Sequence, residues 1–165
     1  MDFSLKTRFT RAPWTDALRD GAILGAAASV LSAAALVAAG KRQERAWAAT
    51  LNTPSQWLWG DEARHAEAAS LRHTAIGYAT HHGSSVFWAV LYARYARGAV
   101  ATRGLPAELA AGCAVAALAC FVDYRLTPRR LQPGFEAHLP RRSMAGVYGA
   151  FGVGLGLASW WLHRR

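Results

Sequence analysis

Charge is missing from this chain in blocks. No Asp, Glu, Lys or Arg occurs from Gly21 to Gly40, from His73 to Ala93, from Leu109 to Val122, or from Ser143 to Leu162. A helix rising about 1.5 Å per residue needs roughly 20 apolar residues to cross a hydrocarbon core about 30 Å thick. Three of the windows have that length, and the third nears it when extended back past Glu108 to Pro106. Cysteine is scarce as well. Cys113 and Cys120 are seven residues apart on one predicted helix, about 10 Å along its axis, which excludes a disulfide between them and suits small buried core residues. Catalytic signatures are absent: there is no H-E-x-x-H and no C-x-x-C-H, and Glu62-x-x-His65 is half of a di-iron signature whose second half is missing. No motif names a reaction.

Acids are outnumbered, 10 Asp and Glu against 19 Lys and Arg. In a soluble chain a net charge of +9 would point to nucleic acid. Here the basic residues gather at the ends of the apolar windows, where they suit lipid phosphates and set topology. The expected partners are therefore the lipid bilayer and either a second copy or another membrane protein, with no nucleic acid. The basic leader before Gly21 also carries Asp2, Asp16 and Asp20. The window after it exceeds the 7–15 residues usual for the apolar part of a signal peptide, which reads as an uncleaved first span.

The fold expected is all-α: an integral membrane four-helix bundle forming one domain, with spans at about 18–40, 73–94, 106–124 and 143–162. Thr15 with Asp16 is a cap signal for the first helix. Thr53-Pro54 starts a short Trp-rich helix in the first connector, lying in the interface. The stretch Asp61 to Thr74 reads as a polar helical lead into the second span. Four spans place the N-terminus, residues 94–105 and the C-terminus on one side (side A), and residues 41–72 and 123–142 on the other (side B). Side A carries nine Lys and Arg, including Lys6, Arg8 and Arg165, and side B ten, so the positive-inside rule does not choose an orientation. The tryptophans form two belts, Trp14, Trp160 and Trp161 on side A and Trp47, Trp57 and Trp59 on side B, leaving only Trp88 within a span.

The two side-B connectors share a spacing. Thr53-Pro54, Gly60 and Glu62-Ala63 recur as Thr127-Pro128, Gly134 and Glu136-Ala137, an offset of 74 residues. Duplicated helical hairpins, with repeat units 1–92 and 93–165, account for it; chance in an Ala- and Arg-rich chain is the competing explanation.

Span two is the unusual one. At 100° per residue, His73, Thr80, His81, Ser84, Trp88 and Tyr92 fall on one arc, with His82 beside it. Ala75, Ala79, Gly83, Val86 and Val90 occupy the opposite arc, expected to face lipid. Ionisable groups within a span cost several kcal/mol unless partnered and are functional candidates by default. His73, His81 and His82 are the candidate cofactor ligands, for haem or a metal ion. His73, Asp123, Glu136 and His138 form a candidate metal set at side B, with His73–Asp123 the plausible pair. The competing reading makes His81 and His82 interhelical glue, bonded to groups at their depth such as Ser29, Ser32 and Cys113. Gly21-x-x-x-Gly25, Gly149 and Gly152-x-x-x-Gly156 are candidate helix-packing positions, within the chain or between copies.

The phrases TPSQWLWGDEA, GYATHHGSSVFWA and DYRLTPRRLQPGFE resemble uncharacterised small inner-membrane proteins of bacteria, over much of the chain from Asn52 to Gly134. The resemblance implies a multi-pass protein of the bacterial inner membrane and brings no activity with it. The leading expectation is a non-catalytic accessory or helix-packing component. The alternatives are a haem- or metal-binding redox protein using the histidines of span two, and a small transporter or proton path along its polar stripe.

Overall fold

A computed structural model describes residues 11–164; Lys6, Arg8 and Arg165, counted to side A above, lie outside them. Among the described residues the regular elements are all helical. α1 runs over Trp14–Lys41; the first connector holds α2 (Ala49–Asn52), a 3-10 turn (Thr53–Ser55), α3 (Gln56–Trp59) and α4 (Asp61–His65). A π turn (Leu71–Ala75) opens α5 (Ile76–Tyr95), and α6 (Arg97–Val100) leads to α7 (Leu105–Phe121). A second π turn (Val122–Leu126) ends α7, two 3-10 turns come next, and α8 (Arg141–His163) closes the chain.

Three segments, Trp14–Lys41, Leu105–Leu126 and Arg141–His163, are long and apolar enough to cross a membrane. α5 matches them in length but carries the polar stripe. Apart from the start of α1, which takes in Asp16, Arg19 and Asp20, the ends of the long helices fall within a few residues of the charge-free windows. The caps differ from expectation. α1 begins at Trp14 with Pro13 in the cap position, two residues before Thr15, and no side chain caps it. The expected lead from Asp61 to Thr74 is helical only to His65; the backbone is extended at Ala66 and Ser70.

Glycine decides which helices touch. A Cβ on Gly25 would lie 2.5 Å from Val86 Cα, and one on Gly156 would lie 2.8 Å from Leu109 Cα. Each is closer than real Cβ atoms come, so α1 meets α5, and α8 meets α7, backbone against backbone. Gly21 takes Val90, Gly152 takes Cys113, and Gly154 seats α8 on Ala28 of α1. This overturns the lipid-facing assignment of Val86 and Val90, which fill the α1 groove; Ala75, Ala79 and Gly83 are the exposed part of that arc. A Cβ on Gly149 would meet nothing within 4 Å among the described residues. Cys113 is exposed rather than buried.

α1 thus lies against α5 and α8, and α8 against α7, whereas α5 and α7 barely meet. Toward side A the core is built on Leu24, Tyr92, Phe151 and Leu155. Toward side B, Leu36 and Val147 pack with Leu51 of the first connector and Phe135 and Leu139 of the second. The connectors also bind each other. Gln56 Nε2 donates to the Gln132 carbonyl, and Arg64 reaches Glu136 at 3.2 Å. Together they form a lid over the side-B end of the helices.

Candidate functional site: a cleft between α5 and α7

The space left between α5 and α7 is an open cleft in the side-B half. α5 supplies Thr80, His81, Ser84 and Trp88; α8 supplies Tyr148 and Phe151; Asp123 comes from the π turn after α7. Trp57, Leu131 and Phe135 of the connectors roof it. It continues outward past Gly83 and Phe87 of α5 and Val122 and Thr127 at the end of α7. Its mouth therefore opens sideways, between two helices. The side-A end of the same gap is closed where Tyr92 of α5 donates a hydrogen bond to Glu108 of α7.

The π turn places Asp123. Bonding from Thr127 N to the Val122 carbonyl, five residues back at 2.9 Å, puts an extra residue in the turn and re-aims its side chains. Tyr148 Oη donates to Asp123 Oδ2 at 2.6 Å. Among the described residues four acids are buried or half-buried: Asp20, Glu67, Glu108 and Asp123. Asp20 is bridged by Arg19 and Arg97, Glu67 by Arg45, and Glu108 lies 2.8 Å from His163 Nδ1. Asp123 has no cation beside it among the described residues.

His81 and His82 are engaged by α1. Ser32 Oγ lies 2.9 Å from His81 Nε2, and Ser29 Oγ lies 3.1 Å from His82 Nδ1. These are the serines whose depth suited the two rings. His81 also lines the cleft, whereas His82 turns to Tyr78, ring centroids 5.9 Å apart. His73 is buried but meets Ser55 Oγ at 3.3 Å and Glu62 Oε1 at 3.4 Å, not Asp123.

The candidate metal set is not assembled. His73 is with Glu62, Asp123 with Tyr148 and Glu136 with Arg64, while His138 stands near Arg45, Arg64 and Glu67. Among the described residues no three His, Cys, Asp or Glu side chains gather as a metal site would need. Topology brings His73, Asp123, Glu136 and His138 to one side, but the lid gives His73, Asp123 and Glu136 separate partners. His138 has both ring nitrogens shut off from solvent. Burial, and then the Arg45 charge, hold its pKa below the ordinary value of 6.5, with Glu67 pulling the other way.

No protein-family model, curated protein or solved structure matches the chain.

Sequence reasoning overlooked two groups. One is the side-A cluster: Glu108 is fully buried, its partner Tyr92 lies 3.2 Å from Ser159 Oγ, and His163 leads from it to the surface. The signal was present, since Glu108 is the acid that interrupts the third window. The other is Asn52, fully buried in the lid, which donates to the Ala66 and Ala68 carbonyls and accepts from Thr74 Oγ1. A lone polar residue in a connector has no periodicity to announce it.

Proposed function

We propose that the chain is a multi-pass protein of the bacterial inner membrane, a four-helix bundle of two duplicated hairpins (α1 with α5, α7 with α8), that binds a lipid-soluble small molecule in the α5–α7 cleft. The observation that carries the ligand reading is the near-absence of contact between α5 and α7, which leaves an open cleft lined by both helices, α8 and the connectors. Its make-up is that of small-molecule sites, rings and aliphatic surface with a few convergent polar groups: Thr80, His81, Ser84, Asp123 and Tyr148. A mouth between two helices admits a molecule from the acyl-chain region, with the connector lid above. The inner-membrane location draws on the three apolar helices and on the resemblance of the Asn52–Gly134 region. Duplication draws on the shared Thr-Pro, Gly and Glu-Ala spacing and on the equivalent place of the two connectors in their hairpins.

Ser84 stands at the throat, lining both the inner and the outer part of the cleft. Purified protein in mild detergent should bind the neutral dye Nile Red saturably, and Ser84→Trp should abolish that binding while leaving the far-ultraviolet circular dichroism unchanged. Equal binding by parent and variant refutes the cleft as the site.

Self-association through α8 is a second reading. Gly146 and Gly149 face open space, and Gly152 and Gly156 are spent inside the chain. Replacing Gly146 and Gly149 by Leu should then break an oligomer in detergent; unchanged size excludes it.

A further inference from the structure

Taking the cleft as a ligand site, we propose that its ligand is a lipophilic organic cation, a quaternary or protonated amine or a phosphonium carrying apolar groups, held by the Asp123 carboxylate and the surrounding aromatic rings. Three observations converge on that class. The lining includes no Lys or Arg side chain, in a chain with 19 of them. Its one acid, Asp123, is the acid that the fold leaves without a cation while it pairs every other buried or half-buried acid among the described residues. The remaining surface is rich in rings: Trp57, Trp88, Phe135, Tyr148 and Phe151 line the inner cleft, and Phe87 stands at its mouth.

Each feature has a physical reason to select positive charge. An unpaired carboxylate in a low-dielectric wall is costly to keep, and a cation relieves that cost where a neutral molecule does not. Aromatic faces attract cations through their quadrupole, most strongly for Trp and most of all when water is excluded. A cation that must arrive through lipid has to carry its own apolar cover, which the sideways mouth requires. Tyr148 holds the carboxylate in place through its 2.6 Å hydrogen bond, so the acid presents a fixed position to the ligand. His81 is occupied by Ser32 through Nε2 and lies on the α5 wall.

Tetraphenylphosphonium and tetraphenylborate have nearly the same shape and opposite charge, and they separate charge from greasiness. Titrated into the purified protein and followed by tryptophan fluorescence, tetraphenylphosphonium should bind about tenfold or more tighter than tetraphenylborate. Asp123→Asn, which keeps shape and the Tyr148 bond, should remove most of that preference. Trp88→Leu should weaken the phosphonium without helping the borate. Equal affinity for the two ions in the parent protein, or an unaltered preference in Asp123→Asn, overturns the cation assignment. Nile Red distinguishes the levels. If the dye still binds and Ser84→Trp still blocks it, the cleft stands and only the cation class falls; if nothing binds in a way that Ser84→Trp blocks, both fall.

Discussion

Replacing Asn52 by alanine should cost more stability than any other single polar truncation in the lid. Asn52 is fully buried, and its amide donates to the Ala66 carbonyl at 2.7 Å and the Ala68 carbonyl at 3.1 Å. Its carbonyl accepts from Thr74 Oγ1 at 2.7 Å. One side chain therefore pins the extended stretch between α4 and the π turn, and with it the start of α5. Each bond is worth about 1 kcal/mol net, so Asn52→Ala should lose about 3 kcal/mol, or nearer 2 if water reaches the freed carbonyls. Thr74→Val removes one of the three and should lose about 1 kcal/mol. Because the two share a bond, the double variant should fall short of additivity by about 1 kcal/mol. Unfolding by SDS titration in mixed micelles measures all three differences. A loss for Asn52→Ala within about 0.5 kcal/mol of zero, the range of an ordinary surface change, refutes the clasp.

Three further outcomes rest on the packing and the charges. Gly156→Leu forces a side chain into the Leu109 backbone and should lose at least about 2 kcal/mol, whereas Gly149→Leu, facing open space, should change thermal stability little; equal melting shifts for the two would contradict the helix contacts. Glu108→Ala strips Tyr92 and His163 of their shared partner and should cost about 2 kcal/mol, with Glu108→Gln recovering part of it; matching thermal curves for Glu108→Ala and the parent would discount the cluster. His138 resists protonation when folded, so below its ordinary pKa of 6.5 the unfolded chain takes up a proton that the folded chain does not. Stability should fall as pH drops from 7.5 to 5, and His138→Gln should flatten that slope; a variant slope as steep as the parent's rules the ring out as its source.

The long helices were legible because long apolar segments leave a charge-free trace, and apart from the start of α1 their ends track it closely. The serine partners of His81 and His82 were legible from depth alone. Orientation around the helix axis was not. The arc holding Val86 and Val90 looked lipid-facing because apolar side chains suit lipid and a glycine groove equally well, and only Gly21 and Gly25 on another helix decide between them. The side-B histidines and acids illustrate a different limit. Topology placed them on one side, but their partners depend on how the connectors fold, and Arg45, Arg64 and Arg72 claim Glu67, Glu136 and Glu62 before any metal set can form. The cleft itself could not be read at all. It arises because α5 and α7 meet only toward side A, and a missing contact has no residue pattern.

The central claim, a cleft open to the bilayer between α5 and α7, is tested most directly by a nitroxide at its throat. Ser84→Cys, in a chain with Cys113 and Cys120 changed to alanine, is spin-labelled and reconstituted into liposomes. Collision with oxygen, which concentrates in lipid, should be high, and collision with a water-soluble nickel chelate should be low. Dominant collision with the nickel chelate would place Ser84 in water, and protection from both would mean a sealed interior; either result contradicts the account.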